Sequence, residues 1–244
     1  GIMLSKCSWQ RFRHNDITHL ERILDKERPD GHNTLIIIES IYSMDGDSAP
    51  VEDLISLKRR HPGVMIYIDE AHAVGACGPR GLGLVQEAGL GDKVDILLGT
   101  MGKALASTGA YAVLGSEDLR MYMINKARSL IFSTAMPPIC AAWGQFIFER
   151  MQSMDAERAH LARMSELLYR AVGASGTPSH IAPLMAGSAA RALALSEQLE
   201  RMGYHALPIR TPTVPPGTER LRFSISASMT SEQMAALQQA IQSI

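Results

Sequence analysis

The sequence predicts an α/β fold with a mainly parallel sheet, followed by a smaller α+β unit. In residues 1–150, apolar β-branched runs alternate with amphipathic helical patterns, as in parallel sheets covered by helices. After Pro137 and Pro138 the pattern changes to long helical stretches and short strands. We therefore expect two domains, 1–150 and 151–244, with the boundary near Met151.

The larger predicted domain begins with a helix in "NDITHLERILDKE", where Asn15 or Asp16 is the expected cap. The run "TLIIIES", residues 34–40, is predicted to be a strand buried on both faces. A helix follows in "PVEDLISLKRRHPG", with Pro50 near its start. Further strands are expected in "VMIYID", "VDILLG" and "AYAVLG".

A long helix is expected over residues 139–172, with the domain boundary inside or beside it, and the loop "GASGTPSH" follows. Strands are predicted in "IAPLMAG", "YHALPIR" and "RLRFSISA". Helices are predicted over residues 189–202 and from Ser231 onward. The mixture of helices and short strands is typical of an α+β domain.

Composition excludes several classes of protein. The 244 residues carry a net charge of −1, which provides no electrostatic footprint for nucleic acid or an anionic membrane. No apolar window approaches the roughly 18 residues of a spanning helix, and "GIMLSKCSWQ" is not patterned as a signal peptide. Cys7, Cys77 and Cys140 form no disulfide framework, so we expect a reducing cytoplasm.

Polar residues follow three of the predicted strands. They are Glu39 to Ser43, then Asp69 to His72, then Thr100 to Lys103. Because the carboxyl ends of parallel strands meet at one edge of a sheet, we expect a ligand site where these segments converge. Lys103 lies among Gly, Thr, Ala and Ser. Such small neighbours leave room for a ligand beside the backbone.

Two simple assignments of these motifs fail. A phosphate-binding P-loop needs Gly at position 97 and Ser or Thr at 104, whereas the sequence has Leu97 and Ala104. Without that loop, the helicase-like string "DEAH" has no nucleotide site to serve. A metal site at Asp69, Glu70 and His72 is disfavoured, because neighbours along a strand end point in different directions and no second His or Cys cluster is near.

A Schiff-base lysine is the chemistry that these residues favour. An amine nucleophile must be neutral to attack a carbonyl, so it needs a pocket that lowers its pKa. Pyridoxal phosphate (PLP) requires such a lysine and an acid beside its ring nitrogen. Lys103 and Asp69 suit these two roles. The alternative for Asp69 is a capping role in the following turn.

Five motifs resemble the α-oxoamine synthases, which are PLP enzymes of fold type I. In chain order they are "ESIYSMDGDSAPVEDL", "YIDEAHAVGACGPRGLG", "GTMGKALASTGAY", "FSTAMPP" and "PTVPPGTERLRFSISA". The resemblance covers essentially the whole chain. It implies that residues 1–150 are the C-terminal portion of the PLP-binding large domain and that residues 151–244 are the small domain.

The resemblance also implies roles for individual residues. Lys103 matches the lysine that binds PLP covalently, and Asp69 matches the acid at the ring nitrogen. His72 and Ser43 match contacts to the 3′-oxygen of the cofactor, with a purely structural histidine as the alternative for His72. The remaining matches are Thr100 near the phosphate, Thr134 (with Ser133) donated to the phosphate by a second subunit, and Arg222 for the amino-acid carboxylate. Arg220 is expected to be a solvated partner of Glu219.

The branch of the family that forms 8-amino-7-oxononanoate matches best, through "RFRHND", "MDGDSAP" and "STAMPP". It implies a homodimer that condenses L-alanine with a pimeloyl thioester of coenzyme A or acyl-carrier protein, with loss of carbon dioxide. Alternatives are the aminolevulinate-forming branch and a non-catalytic fragment or partner subunit. The family's N-terminal histidine and glycine turn have no match before Gly1, so we expect a truncated chain.

Overall fold

The computed structural model describes residues 1–27 and 33–244, which contain two β-sheets. The first sheet has the order β1-β2-β3-β4, in which β1, β2 and β3 are parallel and β4 is antiparallel. Its strands are β1 (Thr34–Glu39), β2 (Val64–Asp69), β3 (Ile96–Thr100) and β4 (Ala110–Leu114). The mainly parallel α/β fold predicted from the sequence is confirmed.

The second sheet is antiparallel, with the order β5-β7-β6. Its strands are β5 (Ile181–Met185), β6 (Leu207–Ile209) and β7 (Arg220–Ser224). The helices are α1 (Ile17–Glu27), α2 (Val51–Arg60), α3 (Leu84–Glu87), α4 (Glu117–Lys126), α5 (Arg128–Ile131), α6 (Pro138–Met151), α7 (Asp155–Val172), α8 (Ala189–Arg201) and α9 (Ser231–Gln242). Within residues 1–27 and 33–244, none of the helices is both long enough and apolar enough to span a bilayer.

Helix α1 is capped by Asp16, one of the two candidates from the sequence. The Asp16 carboxylate accepts a hydrogen bond from the backbone N–H of His19 at 2.8 Å, which satisfies one of the free donors of the first turn. Asn15 instead donates to the side chain of Asp47 at 2.8 Å and to the carbonyl of Ser48 at 3.0 Å. It therefore ties the start of α1 to the loop that follows β1.

Strand β1 is buried on one face, so the prediction of burial on both faces is wrong. Ile36 and Ile38 pack with side chains of α1 and α2 in the core of the first sheet. Leu35 and Ile37, on the opposite face, are 45% and 40% exposed. The apolar run indicated a strand correctly, but its composition does not reveal whether both faces are covered.

The long helix predicted over residues 139–172 is two helices, α6 and α7. The chain turns at Gln152–Met154, where the hydroxyl of Ser153 donates to the carbonyl of Arg150 at 2.9 Å. The buried guanidinium of Arg158 donates to the carbonyl of Met151 at 2.7 Å. These side-chain bonds satisfy carbonyls at the end of α6, which lets the helix stop there.

A separate hydrophobic core holds the second sheet together. It joins buried residues of α7, β5, α8, β7 and α9, with Leu168, Leu199, Leu221 and Met234 among those without solvent exposure. The predicted strands and helices after residue 180 are all present within three residues of their expected bounds. The domain boundary near Met151 stays a prediction.

Candidate active site

The carboxyl ends of the three parallel strands lie at one edge of the first sheet, as expected from the sequence. We call this edge, with the segments 39–43, 69–72 and 100–103 that follow the strands, the rim. In the sheet register, Glu39 at the end of β1 lies beside Asp69 at the end of β2, and Asp69 lies beside Leu98 of β3. The segment that carries Lys103 follows directly after Thr100, the last residue of β3. In-register parallel pairing therefore brings chemically active side chains from three loops to one edge.

Lys103 contacts His72 at the centre of this rim. The Lys103 amine Nζ lies 2.8 Å from His72 Nε2, a hydrogen-bonding distance. Burial lowers the pKa of Lys103, although nearby Asp69 and Glu39 oppose the shift. Burial, followed by the charge of Lys103, also lowers the pKa of His72 to about 4. The pair therefore combines a neutral imidazole with a lysine whose proton is more easily lost than usual.

The small residues around Lys103 permit a close approach between two loops. A Cβ atom on Gly75 would lie 2.6 Å from the Cβ of Ala104, and Gly75 has φ +84°. Glycine is the residue that tolerates both conditions. The loop that carries His72 therefore packs directly against the segment that carries Lys103.

Asp69 fulfils the capping role and still has a free oxygen. Its Oδ1 accepts a hydrogen bond from the backbone N–H of Ala71 at 2.8 Å, which stabilises the turn after β2. Among the described residues, Oδ2 has no hydrogen-bond partner and is not fully buried. A half-buried carboxylate oxygen at a strand end can accept one further hydrogen bond from a ligand.

The turn after β1 positions Ser43 and Arg222. Glu39 accepts hydrogen bonds from the backbone N–H of Ser43 at 2.7 Å and from its hydroxyl at 3.4 Å. Arg222, on β7, donates from Nε to the carbonyl of Ser43 at 2.6 Å. The terminal nitrogens of this half-buried guanidinium carry no hydrogen bond to the described residues, so they are available to a carboxylate.

Arg220 is a structural residue, and its predicted pairing with Glu219 is wrong. Its buried guanidinium forms an ion pair with Asp45 and donates to the carbonyl of Thr218 at 2.9 Å. The Glu219 carboxylate instead accepts from Gly217 N–H at 2.8 Å and from the Thr211 hydroxyl at 3.1 Å. Glu219 lies in the loop before β7 and Arg220 is the first residue of the strand, so the two side chains have different partners.

Thr100 belongs to the rim, whereas Ser133 and Thr134 lie in the segment after α5. The Thr100 hydroxyl accepts from Gly102 N–H at 3.1 Å and donates to the carbonyl of Gly109 at 3.3 Å. Ser133 and Thr134 are exposed in the segment after α5, and no hydrogen bond joins either one to the rim within the described residues. Their predicted contact with a phosphate of a second subunit stays a prediction.

Glu70 is buried behind the rim, which argues against the metal site considered from the sequence. Its side chain has no exposed surface, and its Oε1 accepts from the backbone N–H of Val85 at 2.8 Å. Burial raises the pKa of Glu70 to about 7. The carboxyl group thus anchors the first turn of α3 and does not join Asp69 and His72 as a ligand.

Glu70→Gln is expected to remove a pH dependence of stability. The folded pKa near 7 lies above the ordinary value of 4.5, so the folded chain binds more protons than the unfolded chain between these values. The free energy of unfolding of the original chain should therefore fall as the pH rises from about 4.5 to 7. We expect a loss of about 2–3 kcal/mol over this range, and urea unfolding at pH 5 and pH 8 measures it.

The exposed Glu87→Gln is the matched control for this experiment. The Glu70→Gln chain should lose less free energy of unfolding between pH 5 and pH 8 than the Glu87→Gln chain does. Equal losses in the two variants would show that the Glu70 carboxyl is not held protonated by the fold.

His180 lies at the site but was missed in the sequence. Its ring centroid is 6.2 Å from that of His72, and Arg222 and Lys103 are near enough to affect its pKa. His180 comes directly before β5, far along the chain from the other rim residues. Only the pairing of β5 with β7 and the hydrogen bonds from Ser179 and Arg222 to the turn after β1 reveal its position, and no spacing in the sequence indicates them.

Comparison with known proteins gives a consistent match over nearly the whole chain. A family model described as aminotransferase class I and II matches residues 1–241. A protein of Pasteurella multocida (strain Pm70) that bears the name 8-amino-7-oxononanoate synthase is 45% identical over 246 aligned positions, which cover 99% of this chain. The chain spans 62% of the length of that relative.

Two solved structures show the same fold. Serine palmitoyltransferase from S. paucimobilis, a lysine-to-alanine variant with a bound PLP–myriocin aldimine, matches with a TM-score of 0.88 at 27% identity. That match covers 96% of this chain and 60% of the other. The 8-amino-7-oxononanoate synthase of Francisella tularensis matches with a TM-score of 0.82 at 26% identity, covering 99% of this chain and 70% of the other.

Proposed function

Because this chain belongs to the aminotransferase class I and II family, we propose that it is the lysine-bearing part of a PLP-dependent α-oxoamine synthase. The proposed reaction condenses L-alanine with a pimeloyl thioester and releases carbon dioxide and the free thiol, giving 8-amino-7-oxononanoate. The observation that carries the proposal is the Lys103 amine 2.8 Å from a neutral His72. The name of the Pasteurella relative supports the choice of substrates.

The residues of the rim fit PLP. An aldehyde needs an amine of lowered pKa, which Lys103 supplies. A protonated ring nitrogen needs a carboxylate oxygen, and Asp69 has one without a partner among the described residues. PLP, when bound, supplies the carbonyl that captures an amine and a conjugated ring that stabilises negative charge on the α-carbon.

The remaining tasks belong to this chain's own side chains. Lys103 removes the proton from the α-carbon of the amino acid, and its lowered pKa leaves it neutral more often than an exposed lysine. His72 holds the amine in position through the 2.8 Å contact and adds no repelling charge. To donate to oxygens of the cofactor, the hydroxyls of Ser43 and Thr100 would turn from their long bonds to Glu39 (3.4 Å) and the carbonyl of Gly109 (3.3 Å). Arg222 binds the substrate carboxylate through its terminal nitrogens.

A homodimer in the cytoplasm is part of the proposal. Large apolar side chains are exposed on α6, where Ile139, Trp143 and Phe146 are 75%, 46% and 56% exposed. Exposed patches of this kind are typical of surfaces that another chain covers. The predicted phosphate contact of Ser133 and Thr134 across the dimer lies in the segment just before this helix.

Release of thiol and carbon dioxide in equal amounts tests the proposed reaction. The PLP-loaded chain is incubated with L-alanine and pimeloyl-coenzyme A, and in parallel with glycine and succinyl-coenzyme A. We expect both products with the first pair only. Products with the second pair alone would favour the aminolevulinate-forming branch, and a PLP-loaded chain without either product would contradict an α-oxoamine synthase activity.

Substitution of the two arginines of β7 is expected to separate substrate binding from stability. Arg222→Lys loses the planar fork that matches a carboxylate, so the KM for L-alanine should rise about tenfold, with a loss of about 1 kcal/mol of stability from the bond to Ser43. Arg220→Lys keeps the charge beside the half-exposed Asp45 but loses the bond to the carbonyl of Thr218, so it should cost about 2 kcal/mol of stability and leave the KM unchanged. KM measurements and urea unfolding check both, and a KM effect confined to Arg220→Lys would overturn the assignment.

A further inference from the structure

We propose that His180 is a substrate-binding residue, whose ring N–H donates a hydrogen bond to the carboxylate of the amino acid held by Arg222. The inference rests on the proposed function and adds a second recognition group to it. Neither ring nitrogen of His180 has a hydrogen bond within the described residues, and neither is a fully buried atom without a partner. The ring is therefore free to bind a ligand.

The ring of His180 lies inside the group of residues that would surround the substrate. Its centroid is 6.2 Å from the centroid of His72, with an angle of 36° between the rings. His72 in turn contacts the Lys103 amine. Arg222 is the largest charged influence on the pKa of His180, and it also lowers the pKa values of His72 and Lys103. The four side chains are therefore near one another, and a substrate that contacts both Lys103 and Arg222 lies within reach of His180.

The backbone around His180 is held at both sides. The buried hydroxyl of Ser179 donates to the carbonyl of Gly46 at 2.6 Å, and the N–H of Ile225 donates to the carbonyl of His180 at 2.9 Å. A Cβ on Gly46 would lie 1.9 Å from the carbonyl oxygen of Ile181, so these two segments of the chain approach each other without room for a side chain. This anchoring gives His180 the fixed position that a binding residue needs.

His180 is a neutral ring that can donate one hydrogen bond without adding a charge to the site. Burial, with the charges of Arg222 and Lys103, lowers its pKa to about 4, so the ring is neutral at pH 7 and keeps one N–H donor. The Nε of Arg222 already donates to the carbonyl of Ser43, so only its two terminal nitrogens can bind the substrate. A carboxylate accepts about four hydrogen bonds. After two from Arg222, it can still accept one from His180.

Protection of Lys103 from labelling tests the inference. PLP is added to the chain, borohydride reduces the lysine adduct, and the label on Lys103 is measured by mass spectrometry. L-Alanine and ethylamine both compete with Lys103 for the aldehyde of PLP and so protect Lys103 from labelling, but only L-alanine carries a carboxylate. In His180→Phe, we expect the concentration of L-alanine that gives half-protection to rise about tenfold, as for the loss of one hydrogen bond to a charged group, with ethylamine unchanged.

Two further variants keep the test specific. His180→Gln retains an N–H donor and should stay within about threefold of the original chain, and the exposed His205→Phe should have no effect. Equal shifts for L-alanine and ethylamine, or no shift for either, would overturn the inference. If Lys103 is not labelled in the original chain, the proposed function is contradicted. The inference about His180 is then tested by a second measurement.

That measurement uses no cofactor. Nitrogen-15 NMR follows the titration of the His180 ring, whose neighbours include His72, Lys103 and Arg222, with Glu39 near the two cations. Saturating L-alanine is expected to raise the pKa of His180 from about 4, because a bound carboxylate favours the charged ring. An equal effect of ethylamine, or an unchanged pKa, would contradict the inference.

Discussion

Replacing Lys103 with alanine is expected to slow the PLP-dependent exchange of the α-hydrogen of L-alanine with solvent by about a thousandfold. The structure holds this amine 2.8 Å from His72, beside the ends of β2 and β3. Burial lowers the pKa of this amine, so it is neutral more often than a solvated amine. The exchange is measured by proton NMR in heavy water, with PLP present throughout.

Two controls separate this loss from unfolding. Lys126→Ala removes an exposed lysine at the end of α4 and should exchange at the original rate. Ethylamine added to the Lys103→Ala chain should restore part of the exchange, because a free amine can occupy the vacated space. Exchange that persists in Lys103→Ala would show that another group removes the proton.

Gly83→Ala is expected to destabilise the chain by about 3 kcal/mol or more. A Cβ at this position would lie 2.0 Å from Oε2 of the buried Glu70, and Gly83 has φ +96°. The loop cannot relieve the clash cheaply, because Oε1 of the same carboxyl group binds the N–H of Val85, two residues further on. Urea unfolding at pH 7 measures the loss.

Gly203→Ala is a closely matched control for Gly83→Ala. Gly203 has φ +88°, and no atom lies within 4 Å of an added Cβ. The control carries a similar backbone strain without the clash, so it should cost only about 1 kcal/mol. Equal losses in the two variants would mean that the loop before α3 is not packed on Glu70 as the structure describes.

The sequence predicted the rim because strand ends follow from local patterns. Runs such as "VMIYID" indicate where a strand stops, and parallel pairing then brings Asp69 and the segment of Lys103 to one edge. The contact between Lys103 and His72 could not be predicted in the same way. It depends on how the loops after two strands fold against each other, through the close approach of Gly75 and Ala104.

The errors of the sequence analysis have a common physical origin. The break between α6 and α7 depends on Arg158 reaching back to the carbonyl of Met151, and helical periodicity does not contain that bond. The exposed face of β1 depends on which elements cover the sheet. His180 is recognisable only after the second sheet is placed against the turn that contains Gly46. Each of these features depends on side-chain contacts or on the covering of a surface, and local periodicity encodes neither.

Reduction of the PLP adduct and mapping of the labelled peptide test the central claim most directly. The chain is incubated with equimolar PLP, treated with borohydride and digested. We predict one label per chain, confined to Lys103, because this lysine has a lowered pKa and lies on a rim whose residues fit the cofactor. Labels spread over exposed lysines such as Lys126, with Lys103 unmodified, would contradict the account.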